Sequence, residues 1–282
     1  MQGVRFWAAV FAMLFGIAAC NLEKEIEIDL PVYVPQPIVE CYLEQGKPIR
    51  LLLTKSSAYF DDFDFNNATS LLINDANITI TYNGQTIPLQ STFIIDTTTA
   101  TKFYNYAAAD IVPLDYDNPF YLNITLADGQ TITAKTQFLQ ASAIDSTVYD
   151  FNTISDTVRA RVITYFKDVT GQRNYYRRQL HRNTLDSIPQ MEFAFINDFV
   201  ENGQIAVGSG YVFDVGDTAI STIYRMDETY YEFWKSVTSS QQVSGNPFGQ
   251  PGNIYKAVGG TANALGIFTT LNYDRDTVII IQ

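Results

Sequence analysis

The stretch Asn77-Ile78-Thr79-Ile80-Thr81-Tyr82-Asn83-Gly84-Gln85-Thr86-Ile87-Pro88-Leu89 decides the fold class. Ile78, Ile80 and Tyr82 alternate with polar residues, the period of a strand with one buried face. Asn83-Gly84 then supplies two residues that tolerate positive φ, which a two-residue hairpin turn needs at both central positions. Residues 85–89 resume the extended pattern. The stretch predicts two antiparallel strands joined by a tight turn.

The same grammar recurs on both sides. Residues 37–43 alternate, 44–47 form a turn, and 48–54 return as the second strand of a hairpin. Residues 120–126 and 130–134 flank the turn dipeptide Asp128-Gly129. No helical pattern of useful length interrupts residues 32–140. The expectation for this region is an immunoglobulin-like β-sandwich.

Near residues 141–146 the chain changes unit, and 141–282 reads as a second antiparallel β domain. Residues 158–166 alternate charged and apolar side chains, and 168–171 make a turn. Residues 174–182 are expected to pair back antiparallel on 158–166. Further strands are expected at 204–207, 211–215, 219–225, 264–270 and 276–281. One short helix is expected at 227–240. Asp227 suits its N-cap, and Glu228 places a second acid in the first turn. Tyr230, Tyr231, Trp234 and Val237 fall at helical spacing and read as a core-facing stripe.

Composition supports a mainly β chain with a real core. Hydrophobic residues make up 46% against 17% charged, so the chain does not have the composition of a disordered one. Tyr and Phe, 18 and 19 residues, join abundant Thr, Ile and Val, all suited to pleated surfaces. The formal charge is −12. Arg173, Arg177, Arg178 and Arg182 form the densest cationic run, too small a patch to neutralise a phosphate backbone. Nucleic acid is therefore excluded as a partner class.

The N-terminus carries an address. Arg5 precedes an apolar run over 6–17, and small Ala18 and Ala19 precede Cys20. These are the parts of a secretory signal peptide over 1–19. The run falls short of the roughly 20 residues a spanning helix needs. Gly16-Ile17-Ala18-Ala19-Cys20 resembles a bacterial lipobox, so lipidation is expected at Cys20, followed by a charged tether over 20–31. An acylated Cys20 leaves Cys41 without a disulfide partner, and Cys41 reads as a small buried hydrophobe.

Catalytic signals are sparse. A hydrolytic triad needs a base, most often histidine. His181 stands alone of its type, within a strand pattern, and reads as a surface or packing residue. There is no Gly-x-Ser-x-Gly elbow, zinc spacing or phosphate-binding glycine loop. Asp61, Asp62 and Asp64 form a candidate Ca²⁺ group by ligand type. Their spacing departs from an EF-hand loop, and a solvated loop tip is the favoured alternative. Asp115, Asp117 and Asn118 carry the same ambiguity. Tyr59, Phe60, Phe63 and Phe248 are candidate ligand or partner contacts.

Several segments together resemble a family. After Cys20 and its acidic tether come Ile38-Val39-Glu40-Cys41-Tyr42-Leu43 and Ser56-Ser57-Ala58-Tyr59-Phe60-Asp61. Late in the chain stand Tyr230-Tyr231-Glu232-Phe233-Trp234, Asn246-Pro247-Phe248, Asn253-Ile254 and Gly266-Ile267-Phe268. This order is similar to that of the DUF4249 lipoproteins of Bacteroidetes. The resemblance implies a lipid-anchored outer-membrane protein, encoded beside a TonB-dependent transporter, and carries over no catalytic residue. Glu23-Lys24-Glu25 is similar to the acidic export signal that sends such lipoproteins to the cell surface. Thr97, Ser146, Thr157, Ser187, Thr218 and Thr277 match the short O-glycosylation pattern of these bacteria. The functional expectation is a non-catalytic binding or accessory subunit for a TonB-dependent transporter in nutrient uptake. An envelope structural or assembly protein and a surface hydrolase are the alternatives.

Overall fold

The defining hairpin forms in the expected register. Tyr82 pairs with Gln85, Ile80 with Ile87 and Ile78 with Leu89. Asn83 and Gly84 both take positive φ, 46° and 74°, as the turn demands. In the computed structural model of the chain, the residues described are 33–57, 69–97, 102–154, 156–197, 203–243 and 253–282. Cys20 and its tether, Tyr59, Phe60, Asp61, Asp62, Phe63, Asp64 and Phe248 lie outside them.

The elements in order are β1 (Pro37–Glu44), β2 (Pro48–Lys55), β3 (Asn77–Tyr82), β4 (Gln85–Asp96), β5 (Lys102–Ile111), β6 (Phe120–Thr125), β7 (Thr131–Thr136) and β8 (Ile144–Ile154). Then follow β9 (Thr157–Lys167), β10 (Asn174–Arg182), β11 (Met191–Asn197), β12 (Gln204–Gly208), β13 (Thr218–Met226), helix α1 (Glu228–Val243), β14 (Gly259–Gly260) and β15 (Leu265–Ile279). One twelve-stranded sheet has the order β11-β10-β13-β15-β1-β2-β5-β4-β3-β6-β7-β14. A second has the order β12-β9-β8. Among the described residues the chain is thus mainly β with one helix, in a sandwich-like arrangement. Residues 35–282 form a single compact unit.

The large sheet curls, because strands far apart in its order share one core. Val39, Cys41 and Leu43 of β1 and Ile49, Leu51 and Leu53 of β2 are buried in the same cluster as Ile78, Ile80, Phe120, Leu122 and Ile124. Register shifts between Pro48 and Ile49 and between Ser91 and Ile94 supply the local bends. Cys41 is a fully buried free thiol, and burial raises its pKa well above the ordinary range.

The expected pairing of 158–166 with 174–182 does not form. β9 pairs with β8 and β12, while β10 pairs with β11 and β13. The two strands face each other across a core instead of lying side by side. Phe166 of β9 meets Tyr176 of β10 edge to face, with ring centroids 5.0 Å apart. Residues 211–215 are not a strand, and Phe213 makes a single bridge to Ala160. The two strands expected at 264–270 and 276–281 are one, β15. β5, β8, β11 and the two-residue β14 are additions to the expected set.

The strands of the second half pair with one another antiparallel, and a parallel pairing links that half to the first. β15 pairs parallel with β1, Val39 opposite Gly266 and Cys41 opposite Phe268. The large sheet is therefore continuous across residue 140. Helix α1 forms where expected. Asp227 caps it, its Oδ1 accepting from the Tyr230 amide at 2.6 Å. Tyr230, Tyr231 and Phe233, with Trp234 and Val237 beside them, pack on Tyr175, Met226 and Ile267. The aromatic stripe is core, as its spacing indicates.

Candidate interaction site

Strand parity puts chemistry on the outer face of the large sheet. Val39, Cys41 and Leu43 point to the core, so Glu40, Tyr42 and Glu44 point the other way. On β10, Arg177, Gln179 and His181 share that outer face. The register aligns Arg177 with Tyr224 and Tyr224 with Tyr273, bringing β10, β13 and β15 into one row.

Arg177 is the hub. Its Nη1 donates to Tyr230 Oη at 2.6 Å, its Nε donates to Glu192 Oε1 at 2.5 Å, and its Nη2 completes an ion pair with the same carboxylate. Its guanidinium lies 5.3 Å from the Tyr224 ring centroid and 5.9 Å from that of Trp234. Burial alone would lower its pKa. Tyr230, Glu192 and Tyr224 outweigh that and hold it above the usual guanidinium range. Gln179 ties the row together, donating to Glu192 at 2.9 Å and accepting from Tyr224 at 3.1 Å. Tyr273 donates to Glu44 at 2.8 Å, and Arg275 stacks over the Tyr273 ring at 4.9 Å.

This joint gathers segments that the sequence singled out separately. Tyr42, Tyr230, Tyr231, Phe233, Trp234, Ile254 and Ile267 all belong to one packed cluster. Yet every nitrogen of the Arg177 guanidinium already has a partner within the chain. The joint is built to hold β1, β10, β13, β15 and α1 together. His181, on the same face, is buried and its pKa is lowered by burial and then by Arg275. It is a packing residue and presents no base to a surface.

A second feature has the opposite character. Beyond the Ser91–Ile94 register shift, β4 and β5 continue as an arm with Ile94 opposite Tyr104, Ile95 opposite Phe103 and Asp96 opposite Lys102. The inner side of the arm is tied to the sheet. Asp96 pairs with Arg50, and the Arg50 guanidinium lies 5.8 Å from the Tyr104 ring centroid. The outer side is apolar. Phe93 stacks on Phe103 with ring centroids 6.1 Å apart and an interplanar angle of 16°. Phe93 is 52% exposed and Ile95 54% exposed. An aromatic and a β-branched residue side by side in solvent are the ingredients of a contact surface. The sequence reading missed this pair. The consecutive Phe93-Ile94-Ile95 departs from alternation, and that was the available signal.

The remaining candidates can be placed. The Asp115 carboxylate accepts from Tyr82 Oη at 2.6 Å, from Asn118 Nδ2 at 2.8 Å and from the amides of Asp117 and Asn118. These donors hold its pKa well below the usual carboxylate range. The carboxylate organises its own loop. Thr97, Ser146, Thr157, Ser187 and Thr277 are exposed, and Thr218 is half-buried at the start of β13. Among the described residues there is no cluster of three or more His, Cys, Asp or Glu side chains that suits a metal. No helix among them is long and apolar enough to cross a membrane.

Comparison with known proteins gives one family. The model of DUF4249, described as a domain of unknown function, matches residues 23–277. No curated protein matches the chain. Among solved structures, one titled "Cytokine receptor complex - Crystal form 1A" is similar at 8% identity, over 86% of this chain and 95% of that one. Its TM-score is 0.25, which carries no argument about fold or function.

Proposed function

The chain belongs to the DUF4249 family, and on that premise we propose that it is a lipid-anchored, non-catalytic binding or accessory subunit of a membrane transport system. The single observation that carries the binding role is the outer side of the β4–β5 arm. Phe93 and Ile95 stand in solvent on a ribbon whose other side is fastened by Asp96 to Arg50. A pre-ordered apolar surface of this kind binds a protein partner at low entropic cost.

Anchoring rests on the sequence. A signal peptide ending in Ala18-Ala19 delivers the chain across the inner membrane and leaves Cys20 to carry acyl chains. More than one chain is required for stable attachment. The acidic tether directs the protein to the outer membrane and its outer surface. The partner in this reading is a TonB-dependent transporter in nutrient uptake. The lone histidine, His181, is enclosed in the sheet face and offers no imidazole base at a surface, which favours a role without turnover.

Two measurements test the reading. Cys20→Ser should move the protein from the membrane fraction to the soluble fraction. Retention of an unprocessed chain in the membrane would contradict lipid anchoring. Affinity purification of the tagged protein from detergent-solubilised envelopes should recover a TonB-dependent transporter. Recovery of peptidoglycan-assembly proteins in its place would favour the envelope structural alternative.

A further inference from the structure

Arg178 is the largest fully buried side chain among the described residues, with 0% exposure. Alternation along β10 turns it away from the Arg177 joint and into the sandwich formed with β9. Two apolar clusters meet there. Phe166, Tyr176, Val207 and Ile223 lie on one side, and Ala160, Val162, Leu180 and Phe213 on the other.

Its surroundings are rich in donors and poor in acceptors. Nη2 donates to Thr164 Oγ1 at 3.4 Å, Nη1 faces Met191 Sδ at 3.8 Å, and Nε has no partner. Thr164 Oγ1 lies 2.7 Å from Ser221 Oγ, and both residues are fully buried. A guanidinium has only donors, and thioether sulfur is a weak acceptor. Whichever hydroxyl donates within the Thr164–Ser221 pair, the other has a proton left to give. No carboxylate among the described residues pairs with Arg178. This sets it apart from its neighbours, since Arg177 has Glu192 and Arg182 has Asp217 at 3.4 Å.

A buried charge without a counter-charge is strongly unfavourable, and interiors resolve it by pairing. Burial lowers the Arg178 pKa to about 10, so it remains a cation at neutral pH. We propose that the interior of the β9–β10 sandwich holds a small inorganic monoanion of the halide class against Arg178, with whichever of the Thr164 and Ser221 hydroxyls keeps its proton as a further donor. One guanidinium charge matches one negative charge. The enclosure by two apolar clusters favours a single-atom anion over a carboxylate or phosphate attached to a larger body.

The test uses the full-length protein in detergent. Thermal unfolding is followed in sodium bromide and in sodium gluconate at equal ionic strength. The midpoint should rise with each tenfold increase in bromide and stay lower in gluconate, because ligand stabilisation grows with the logarithm of concentration. Arg178→Met, which keeps the shape without the charge, should abolish the difference between the two salts. Equal midpoints in both salts for the wild type, or a bromide effect that survives in Arg178→Met, would overturn the proposal. Crystals of the wild type soaked in bromide decide it independently of any variant. An anomalous peak within hydrogen-bonding distance of the guanidinium supports the site, and no peak there overturns it.

Discussion

Gly266 sits opposite Val39 in the parallel pairing of β15 with β1, so close that a Cβ on Gly266 would lie 1.8 Å from the Val39 carbonyl oxygen. Its φ of +121° is also closed to most side chains. The glycine of Gly266-Ile267-Phe268 is thus explained by steric need. It lets β15 lie against β1, which joins the two halves of the large sheet. Gly266→Ala should destabilise the protein by about 3 kcal/mol or more, within the range for backbone strain combined with lost packing. Chemical denaturation monitored by tryptophan fluorescence reads this directly. A loss near zero would mean that β15 does not approach β1 so closely.

Glu40 makes a pH prediction. Burial raises its pKa above the usual glutamate range, and the nearby Lys102 only partly offsets this. A carboxyl whose folded pKa exceeds its unfolded one binds protons more tightly when folded. Its contribution therefore weakens stability as pH rises through the window just above the ordinary glutamate range. Glu40→Gln should be more stable than wild type at pH 8. The gap should close as the pH falls below that window. Urea midpoints for both proteins from about pH 4, near the ordinary glutamate pKa, up to about pH 8 check the sign.

Asp227 has the same raised pKa from burial, offset by the amides of Tyr230 and Thr229. As an N-cap it needs an acceptor oxygen and gains little from its charge. Asp227→Ala should cost about 1 kcal/mol, while Asp227→Asn should retain most of the stability because Asn caps comparably. Comparing the two unfolding free energies separates the cap from the charge.

The Arg177–Glu192 pair is largely shielded, with side-chain exposures of 18% and 28%. A double-mutant cycle of Arg177→Met and Glu192→Gln should give a coupling of about 1–2 kcal/mol, above that of an exposed pair and below that of a fully buried one. Arg177→Met should also leave Tyr230 Oη without its partner, and so lose more than Glu192→Gln.

Where the sequence alternated cleanly, the fold was legible. β1, β2, β3 and β6 each bury every second residue, and their turns carry Gly46, Gly84 and Gly129 at positive φ. β5 was not legible because its buried position includes Asn105. That side chain bonds the backbone of Leu53 and Ile73, which a polarity pattern counts as exposed. β9 and β10 were recognised as strands, but alternation records only that one face is buried. It does not distinguish pairing edge to edge from packing face to face. Gly266 has meaning only once β1 is known to run beside it. The Arg177 joint draws on residues far apart in the chain, so spacing did not reveal it. Tyr230, Tyr231 and Trp234 were visible as a stripe, and their packing role was read correctly from helical period alone.

The central claim is that the outer side of the β4–β5 arm binds a partner. Its apolar residues contribute little to the core, so changing them should separate binding from stability. Phe93→Ser combined with Ile95→Ser should shift the unfolding free energy by less than about 1 kcal/mol, as for exposed sites. The decisive measurement is the amount of TonB-dependent transporter recovered with the tagged wild-type protein and with this double variant, from envelopes holding equal amounts of each. The account predicts at least a tenfold loss of recovery, about 1.4 kcal/mol of binding free energy. Equal recovery with a folded double variant would contradict it.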